Sequence, residues 1–341
     1  MTVPVDSLLN VGLVGAGRIG SLRAEALAHR VPQANVVAIA DANLDAAESL
    51  AKRCGVLRTY RDYQELLDDP DIGAICVSTP TNTHAEIMVA AAAAGKHLFV
   101  EKPVALDLAE VDRALDAVDR AGVLLQIGLN RRFDPTFRRV RQAVLDGTIG
   151  DVHLLHIISR DPAPPPLAYV QHSGGLFADM TIHDLDMARF LVGSEVTSVY
   201  AQGTVRISPE IGAAGDIDTA MLLLVFQCGA LATIENSRQA VYGYDQRVEL
   251  LGSRGGISTG NMFPNEVTIS TADAVRRDLP MCFFLERYAE SYALETRSFV
   301  ESVLAGRPPS PSGVDGRKAL ELAIAARDSL ASGKPVAIAV G

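Results

Sequence analysis

The chain has 341 residues, 48% apolar and 21% charged, with 28 Gly, 17 Pro, 4 Cys and no Trp. At ~150 residues per domain that length predicts two domains, and the apolar fraction excludes a disordered chain. A net charge of −10 argues against duplex DNA or an anionic membrane as partner, because phosphate-covered surfaces repel such a protein at long range.

The first third alternates short apolar runs with helix signals. Val11–Val14, Val36–Ala40, Ala74–Val77, Leu98–Val100 and Val123–Ile127 are continuous rather than alternating, as parallel strands covered on both faces should be. Asp62 with Glu65, and Asp107 with Glu110, have capping-box spacing, and Gly122 should stop the second of these helices. The expected fold is a doubly wound parallel sheet. After about Gly128 the texture changes. Asp151–Ser159, Val196–Ile207, Thr219–Gln227, Leu231–Arg238 and Arg247–Leu251 are strand-like with few intervening helices, which predicts a large, mostly antiparallel open sheet. Helical stretches near 286–304 and 314–332 close the chain. The expected domains are therefore 1–128 and 129–341.

Gly15-Ala16-Gly17-Arg18-Ile19-Gly20 follows the first strand and opens a helix. Gly15 permits the tight turn, Gly17 lets backbone approach a pyrophosphate, and Gly20 allows close helix–strand packing. The N–H groups there, from Arg18 and Ile19 onward, face the phosphates at the positive end of the helix. A glycine-rich turn alone is weak evidence, and a purely structural turn is the alternative. The strand before, the helix after and an acid about 20 residues on make a stronger case. Asp41 ends the second strand, where its carboxylate can accept from a ribose diol and repel a 2′-phosphate, so NAD is expected over NADP. Its plainer role would be a helix cap. Ser78, Thr79, Pro80, Asn82 and His84 follow the next strand at the edge where open sheets bind ligands, though the stretch serves equally as a helix N-cap. Glu101-Lys102-Pro103 ends a further strand at that edge. A lysine fixed there can do acid–base work, against the ordinary alternative of a solvated surface lysine.

Together with Gly174-Gly175-Leu176-Phe177-Ala178-Asp179-Met180-Thr181-Ile182-His183-Asp184, these segments resemble the glucose–fructose oxidoreductase and inositol dehydrogenase family over nearly the whole length. Asn130–Pro135, Ser159–Pro162 and Tyr242–Asp245 look most like its myo-inositol 2-dehydrogenase branch. Gln171-His172 departs from that branch, where Lys-Val is expected. The resemblance implies an N-terminal Rossmann domain, a C-terminal α+β domain, and a homo-oligomer (tetramer or dimer) built through the open sheet. It implies that Lys102 contacts the reacting hydroxyl, and that Asp179 and His183 hold and deprotonate the substrate. It places Arg132, Asp161, Tyr242 and Tyr244 along a polyol site, and Glu101 with the cofactor-binding residues.

Ile182, Leu185, Ala188 and Val192 recur at helical spacing, so Asp179 and His183, four apart, should share a face off that stripe. A neutral imidazole is a suitable proton acceptor near pH 7, and a carboxylate beside it stabilises the imidazolium. A metal-ligand pair lacks a further matching cluster. A helix cap with a core histidine is the commoner fate of such a pair. The arginines Arg131, Arg132, Arg138, Arg139 and Arg141 are read as a solvated or intersubunit face rather than a nucleic-acid surface. The expected function is NAD-dependent oxidation of a cyclic polyol such as myo-inositol in inositol catabolism, in the cytoplasm and without a metal. A family member for another inositol isomer or an aldose, and a silent dinucleotide-binding sensor, are the rivals.

Overall fold

The computed structural model describes residues 8–339. Its first part runs β1 (Leu9–Val14), α1 (Arg18–Arg30), β2 (Ala34–Ala40), α2 (Leu44–Cys54), β3 (Arg58–Tyr60), α3 (Tyr63–Leu67), β4 (Ala74–Val77), α4 (Thr81–Ala93), β5 (His97–Glu101), α5 (Leu108–Ala121) and β6 (Leu125–Gly128). All six strands are parallel, in the order β3-β2-β1-β4-β5-β6. The continuous apolar runs are buried on both faces as expected. Asp62 accepts from the Gln64 N–H, and Asp107 from those of Ala109 and Glu110, so both predicted caps start a helix. Gly122 ends α5 in the left-handed conformation that L-residues avoid.

A 3-10 turn (Asn130–Phe133) leads to α6 (Pro135–Leu145), β7 (Val152–Arg160), α7 (Leu167–Val170), a π turn (Phe177–Thr181), α8 (Ile182–Val192), β8 (Val196–Thr204), α9 (Pro209–Ala213), β9 (Thr219–Phe226), β10 (Leu231–Ser237), β11 (Asp245–Gly252) and β12 (Gly255–Ser258). The chain closes with a small hairpin, β13 (Thr268–Ser270) and β14 (Val275–Arg277), then α10 (Phe284–Arg287), α11 (Ala289–Leu304), α12 (Gly313–Ser332) and β15 (Val336–Ala337). The second sheet has the order β12-β11-β7-β10-β9-β8-β15. It is antiparallel except for β7 beside β10. Along β7, β9 and β10, inward residues such as Ile157, Leu222 and Ile234 are buried, while Leu154, Met221, Leu223 and Leu231 on the other face are exposed. The sheet is thus covered on one side and open on the other.

The compact units differ from the expected 1–128 and 129–341. One comprises residues 8–133 together with Glu290–Lys318, and the other Asp134–Ala289 together with residues 319–339. The physical reason lies in α11. Its Phe299 and Val300 join Leu13, Ile39 and Phe99 in the core of the first unit, with Phe299 edge-on to Phe99 at 5.7 Å. Burying each such side chain is worth roughly 1.5–3 kcal/mol. An apolar stripe on a late helix does not reveal which sheet it will cover.

Candidate active site

Because the first sheet is wholly parallel, the carboxyl ends of β2, β1, β4 and β5 lie side by side along one edge. The glycine turn, Asp41, Ser78–Asn82 and Lys102 follow those four ends directly. β1 and β4 are neighbours although consecutive strands elsewhere separate them, so this edge contains the topological switch point where open α/β sheets bind ligands. Each glycine has its own cause. Gly15 has φ +100°, and a Cβ on it would sit 2.6 Å from the Ser78 carbonyl oxygen. A Cβ on Gly20 would lie 1.8 Å from the Gly15 carbonyl oxygen, so only hydrogen fits between α1 and the turn. Gly17 is exposed, and a Cβ there would meet open space. No contact within the described residues requires glycine at 17, so backbone there is open to a close approach from outside. Gly17 caps α1 without a side-chain bond, so the first helical N–H groups are presented to an anion. Asp41 is half-buried. Its carboxylate accepts from the Ala16 N–H (2.6 Å) and the Asn43 N–H (2.8 Å), which ties the end of β2 to the glycine turn. This edge fits a dinucleotide.

Beyond β4, the Thr83 hydroxyl donates to the Thr79 hydroxyl (2.7 Å), and Pro80 opens α4 without a side-chain cap. Asn82 is exposed there. His84 departs from its expected place at the cofactor. Its ring is buried, with Nδ1 2.8 Å from the Pro103 carbonyl and Nε2 2.8 Å from the Thr79 carbonyl. It braces the loop after β4 against the loop after Lys102. Burial lowers its pKa, against the pull of both carbonyls toward the charged ring. Glu101 was likewise expected at the cofactor, but its Oε1 accepts Arg23 Nε (3.0 Å) and Nη2 (2.7 Å). Arg23, fully buried on α1, also reaches Glu295 at 2.5 Å and Thr296 at 2.9 Å, and lies over the Phe99 ring. This places Lys102 directly after an anchored residue, and the Lys102–Pro103 bond is cis. Arg132, expected along the substrate, donates to Asp315 at 2.9 Å. Of the arginine group, Arg138 and Arg139 are exposed as expected, while Arg131 is buried.

In the second unit, the expected helix near Asp179 begins as a π turn and becomes α-helical only at Ile182. Asp179 and His183 are therefore separated by a widened turn, a feature that recurs at functional sites. Both are half-buried, whereas Ile182, Leu185, Ala188 and Val192 are buried as predicted. Asn236 on β10 fixes this segment from beneath. It accepts from the Thr181 hydroxyl (2.6 Å) and donates to Asp184 Oδ2 (2.8 Å), gripping both sides of Ile182-His183. The Asp179 carboxylate accepts from the Tyr169 hydroxyl (2.7 Å) and from Arg238 Nη1 (2.9 Å), which also lies 3.4 Å from Asp161 Oδ2. The structure brings Asp161 and Asp179 together, as their assignment to one site requires. Tyr242 and Tyr244 have other surroundings. Tyr242 accepts from Arg160 (2.6 Å) and donates to Asp245 (2.7 Å), and Tyr244 is buried edge-on to Tyr288. Arg160 and Asp245 stand opposite each other in the β7–β11 register, on the face of the strands away from buried Ser159 and Gln246. Sequence reasoning missed Arg238, Tyr169 and Asn236. Arg238 is the last residue of the predicted strand Leu231–Arg238, and a cation at a strand end was the available signal; in the structure it directly follows β10 as Asp161 directly follows β7. Among the described residues, no group of three or more His, Cys, Asp or Glu is placed to hold a metal ion.

A doubly wound domain with this glycine turn and acid, joined to an open mixed sheet bearing a buried carboxylate–arginine group, defines a dinucleotide-dependent oxidoreductase. A model described as "Oxidoreductase family, NAD-binding Rossmann fold" matches residues 9–129, and the "GFO/IDH/MocA C-terminal domain" model matches 137–258. The myo-inositol 2-dehydrogenase of Thermotoga maritima is 48% identical over 322 residues, 94% of this chain and 96% of that one. The inositol 2-dehydrogenase of Rhizobium meliloti is 45% identical over 328 residues, 96% of this chain and 98% of that one. The crystal structure of scyllo-inositol dehydrogenase from Lactobacillus casei, with bound NAD(H) and scyllo-inositol, matches at a TM-score of 0.91 and 29% identity, covering 97% and 99% of the two chains. The chain belongs to the GFO/IDH/MocA family of oxidoreductases, with an NAD-binding Rossmann domain.

Proposed function

We propose that this protein oxidises a secondary hydroxyl of a cyclic polyol with NAD, converting myo-inositol to 2-keto-myo-inositol. The observation that carries this reading is that one chain joins a strand-end edge fitted to a dinucleotide with an Asp179–His183 segment gripped by Asn236 and Arg238. The inositol dehydrogenases above, 45–48% identical over nearly their whole length, support the same substrate class. NAD, when bound, accepts the hydride from the substrate carbon. Its holders are Gly15, Gly17, Arg18 and Ile19 at the phosphates, Asp41 at the ribose, and Ser78, Thr79, Pro80 and Asn82 along the groove. His183 accepts the hydroxyl proton, and Asp179 stabilises the resulting imidazolium and receives a neighbouring hydroxyl. Lys102 stabilises negative charge developing on the reacting oxygen. Asp161 receives a further hydroxyl.

We place the protein in the cytoplasm, in inositol catabolism, as a homo-oligomer (a tetramer or a dimer) joined through the open sheet face. Leu154, Met221, Leu223, Leu231 and Leu251 are exposed there, and apolar side chains grouped on one face mark an interaction surface. Among the described residues, no helix is long and apolar enough to cross a membrane.

The test mixes the protein with NAD and a panel of myo-inositol, scyllo-inositol and aldoses, and follows absorbance of reduced nicotinamide. Turnover fastest with myo-inositol is expected. Tight NAD binding without turnover of any member would instead identify a sensor. His183→Ala should lower kcat by roughly 10²–10⁴-fold while NAD affinity is retained. Near-normal turnover would remove His183 from the mechanism.

A further inference from the structure

We infer that Arg238 is a positioning residue of the reaction: its guanidinium holds Asp161 and Asp179 in the orientation in which they receive the polyol. The inference rests on the substrate roles proposed for those two carboxylates. It begins with the topology. β7 and β10 are the parallel pair of the second sheet, and their register sets Ser237 beside Arg160. The next residues, Arg238 and Asp161, therefore leave the sheet together at the same end. The two exits are stitched by backbone bonds, Asp161 N–H to the Ser237 carbonyl (2.9 Å) and Ala240 N–H to the Asp161 carbonyl (2.6 Å). A side chain leaving so fixed a backbone has little freedom. Arg238 is only 3% exposed, yet it touches two carboxylates from different elements through a single nitrogen.

The groups facing this guanidinium are Asp161 from the end of β7, Asp179 from the π turn with Tyr169 on its other oxygen, and Asp216 ahead of β9, which itself accepts from the Leu176 N–H. Like charges brought this close repel, and the buried cation offsets that repulsion between Asp161 and Asp179. Burial works against the charge on Arg238, but Asp179 and Asp161 outweigh it and hold the guanidinium protonated. The same attraction draws an oxygen of each carboxylate onto the guanidinium. Without Arg238, mutual repulsion would drive a proton onto one of them and turn the other away, so substrate would meet a donor where it needs an acceptor.

The experiment compares Arg238→Gln and Arg238→Lys with the parent protein in kcat and KM for myo-inositol, Kd for NADH by fluorescence, Tm, and the pH dependence of kcat/KM. Arg238→Gln should lose on the order of 10- to 100-fold in kcat/KM for the polyol, the range of charge-assisted hydrogen bonds, while Kd for NADH stays within about twofold. Its acidic limb should move up by about one pH unit. Arg238→Lys keeps the cation but carries it on a flexible stem instead of the rigid guanidinium that aims Nη1 at both carboxylates, so its acidic limb should return toward the parent position while kcat/KM recovers only in part. Should Arg238→Gln fail to fold, Arg238→Lys carries the test: a polyol kcat/KM near the parent value overturns the inference, and a selective loss with NADH binding intact supports it. Losses in polyol turnover and NADH affinity that track a fall in Tm, with the acidic limb unmoved, also overturn it. A parent protein that binds NADH but turns over no cyclic polyol fails at the earlier reading, before any variant is made, and takes this inference with it.

Discussion

Replacing Arg23 with Met tests how the lysine-bearing strand end is held. Arg23 has no exposed surface and donates to Glu101 twice, to Glu295 at 2.5 Å and to Thr296 at 2.9 Å. Methionine fills similar volume but leaves two carboxylates buried together, one of them wholly inaccessible. Breaking such a buried pair from one side costs about 3–5 kcal/mol. That is a large share of the ~5–15 kcal/mol that holds a domain folded. Urea denaturation followed by far-UV circular dichroism measures the loss. The sign with pH is set by the orphaned glutamates. Burial without a cation raises their folded pKa above the unfolded ~4.3, and such a group is most stabilising, or least costly, below the unfolded value. Stability is then lost as pH rises through the raised pKa. The deficit of Arg23→Met should therefore be full near about pH 8 and shrink toward about pH 5, and Glu295→Gln added to it should restore part of the loss. Turnover should fall as well, because Lys102 directly follows the loosened Glu101. A deficit below ~1 kcal/mol that ignores pH would refute the claim that the cation is what makes this cluster tolerable.

Four further outcomes follow from the geometry. Gly20→Ala should abolish the turn and NAD binding together, since its Cβ would lie 1.8 Å from a carbonyl oxygen. Gly17→Ala should leave Tm unchanged yet weaken NAD, measured by NADH fluorescence, and equal affinities for that variant and the parent would discard the phosphate reading of Gly17. Burial opposes the charge on Asp315, but Arg132 and the Ser312 N–H and hydroxyl outweigh it and hold the carboxyl below its ordinary range. Its contribution is present above about pH 4 and lost as pH falls through the depressed value, so the stability gap to Asp315→Asn in urea titrations should narrow on acidification. Leu223→Glu on the open sheet face should lower the assembly state seen by light scattering, with Tm measured alongside; an unchanged mass would place the subunit contact elsewhere.

What sequence pattern could carry differs between the two sheets. The parallel strands announce themselves because burial on both faces forces continuous apolar runs, and the glycine turn because sterics at positions 15 and 20 admit hydrogen alone. The motif singled out Asp179 and His183, but it did not reveal the π turn that holds Asp179, since an inserted turn leaves no periodic signal in so short a stretch. His84 and Glu101 share the sequence neighbourhood of the cofactor edge, yet their side chains turn inward to Pro103 and Arg23. Proximity in sequence places a backbone at a strand end without saying where its side chain points. Tyr242 illustrates the same limit on a loop, where its hydroxyl joins Arg160 and Asp245 rather than Asp179. Arg238 stayed hidden for the opposite reason. Its partner Asp161 is 77 positions away, and only the parallel pairing of β7 with β10 makes them neighbours.

Arg23 and Arg238 solve one physical problem in two different sheets. A residue that handles protons or hydroxyls must keep its charge and direction while sitting at a strand end, where the hydrogen-bond ladder that fixed its backbone has just stopped. Lysine would supply the charge as a point on a flexible stem, free to follow either carboxylate. A guanidinium holds its charge on a rigid plane: Arg23 uses Nε and Nη2 on Glu101 and Nη2 on Glu295 in the first sheet's unit, and Arg238 holds Asp161 and Asp179 through the one nitrogen Nη1 in the second's. Fixing relative orientation matters more for catalysis than the strength of either bond, since misplacement by ~1 Å can cost 10²-fold in rate. Arginine-to-lysine replacement at either position should therefore damage turnover more than it damages folding, and a pair of lysine variants that lose stability but keep kcat would break the analogy between them.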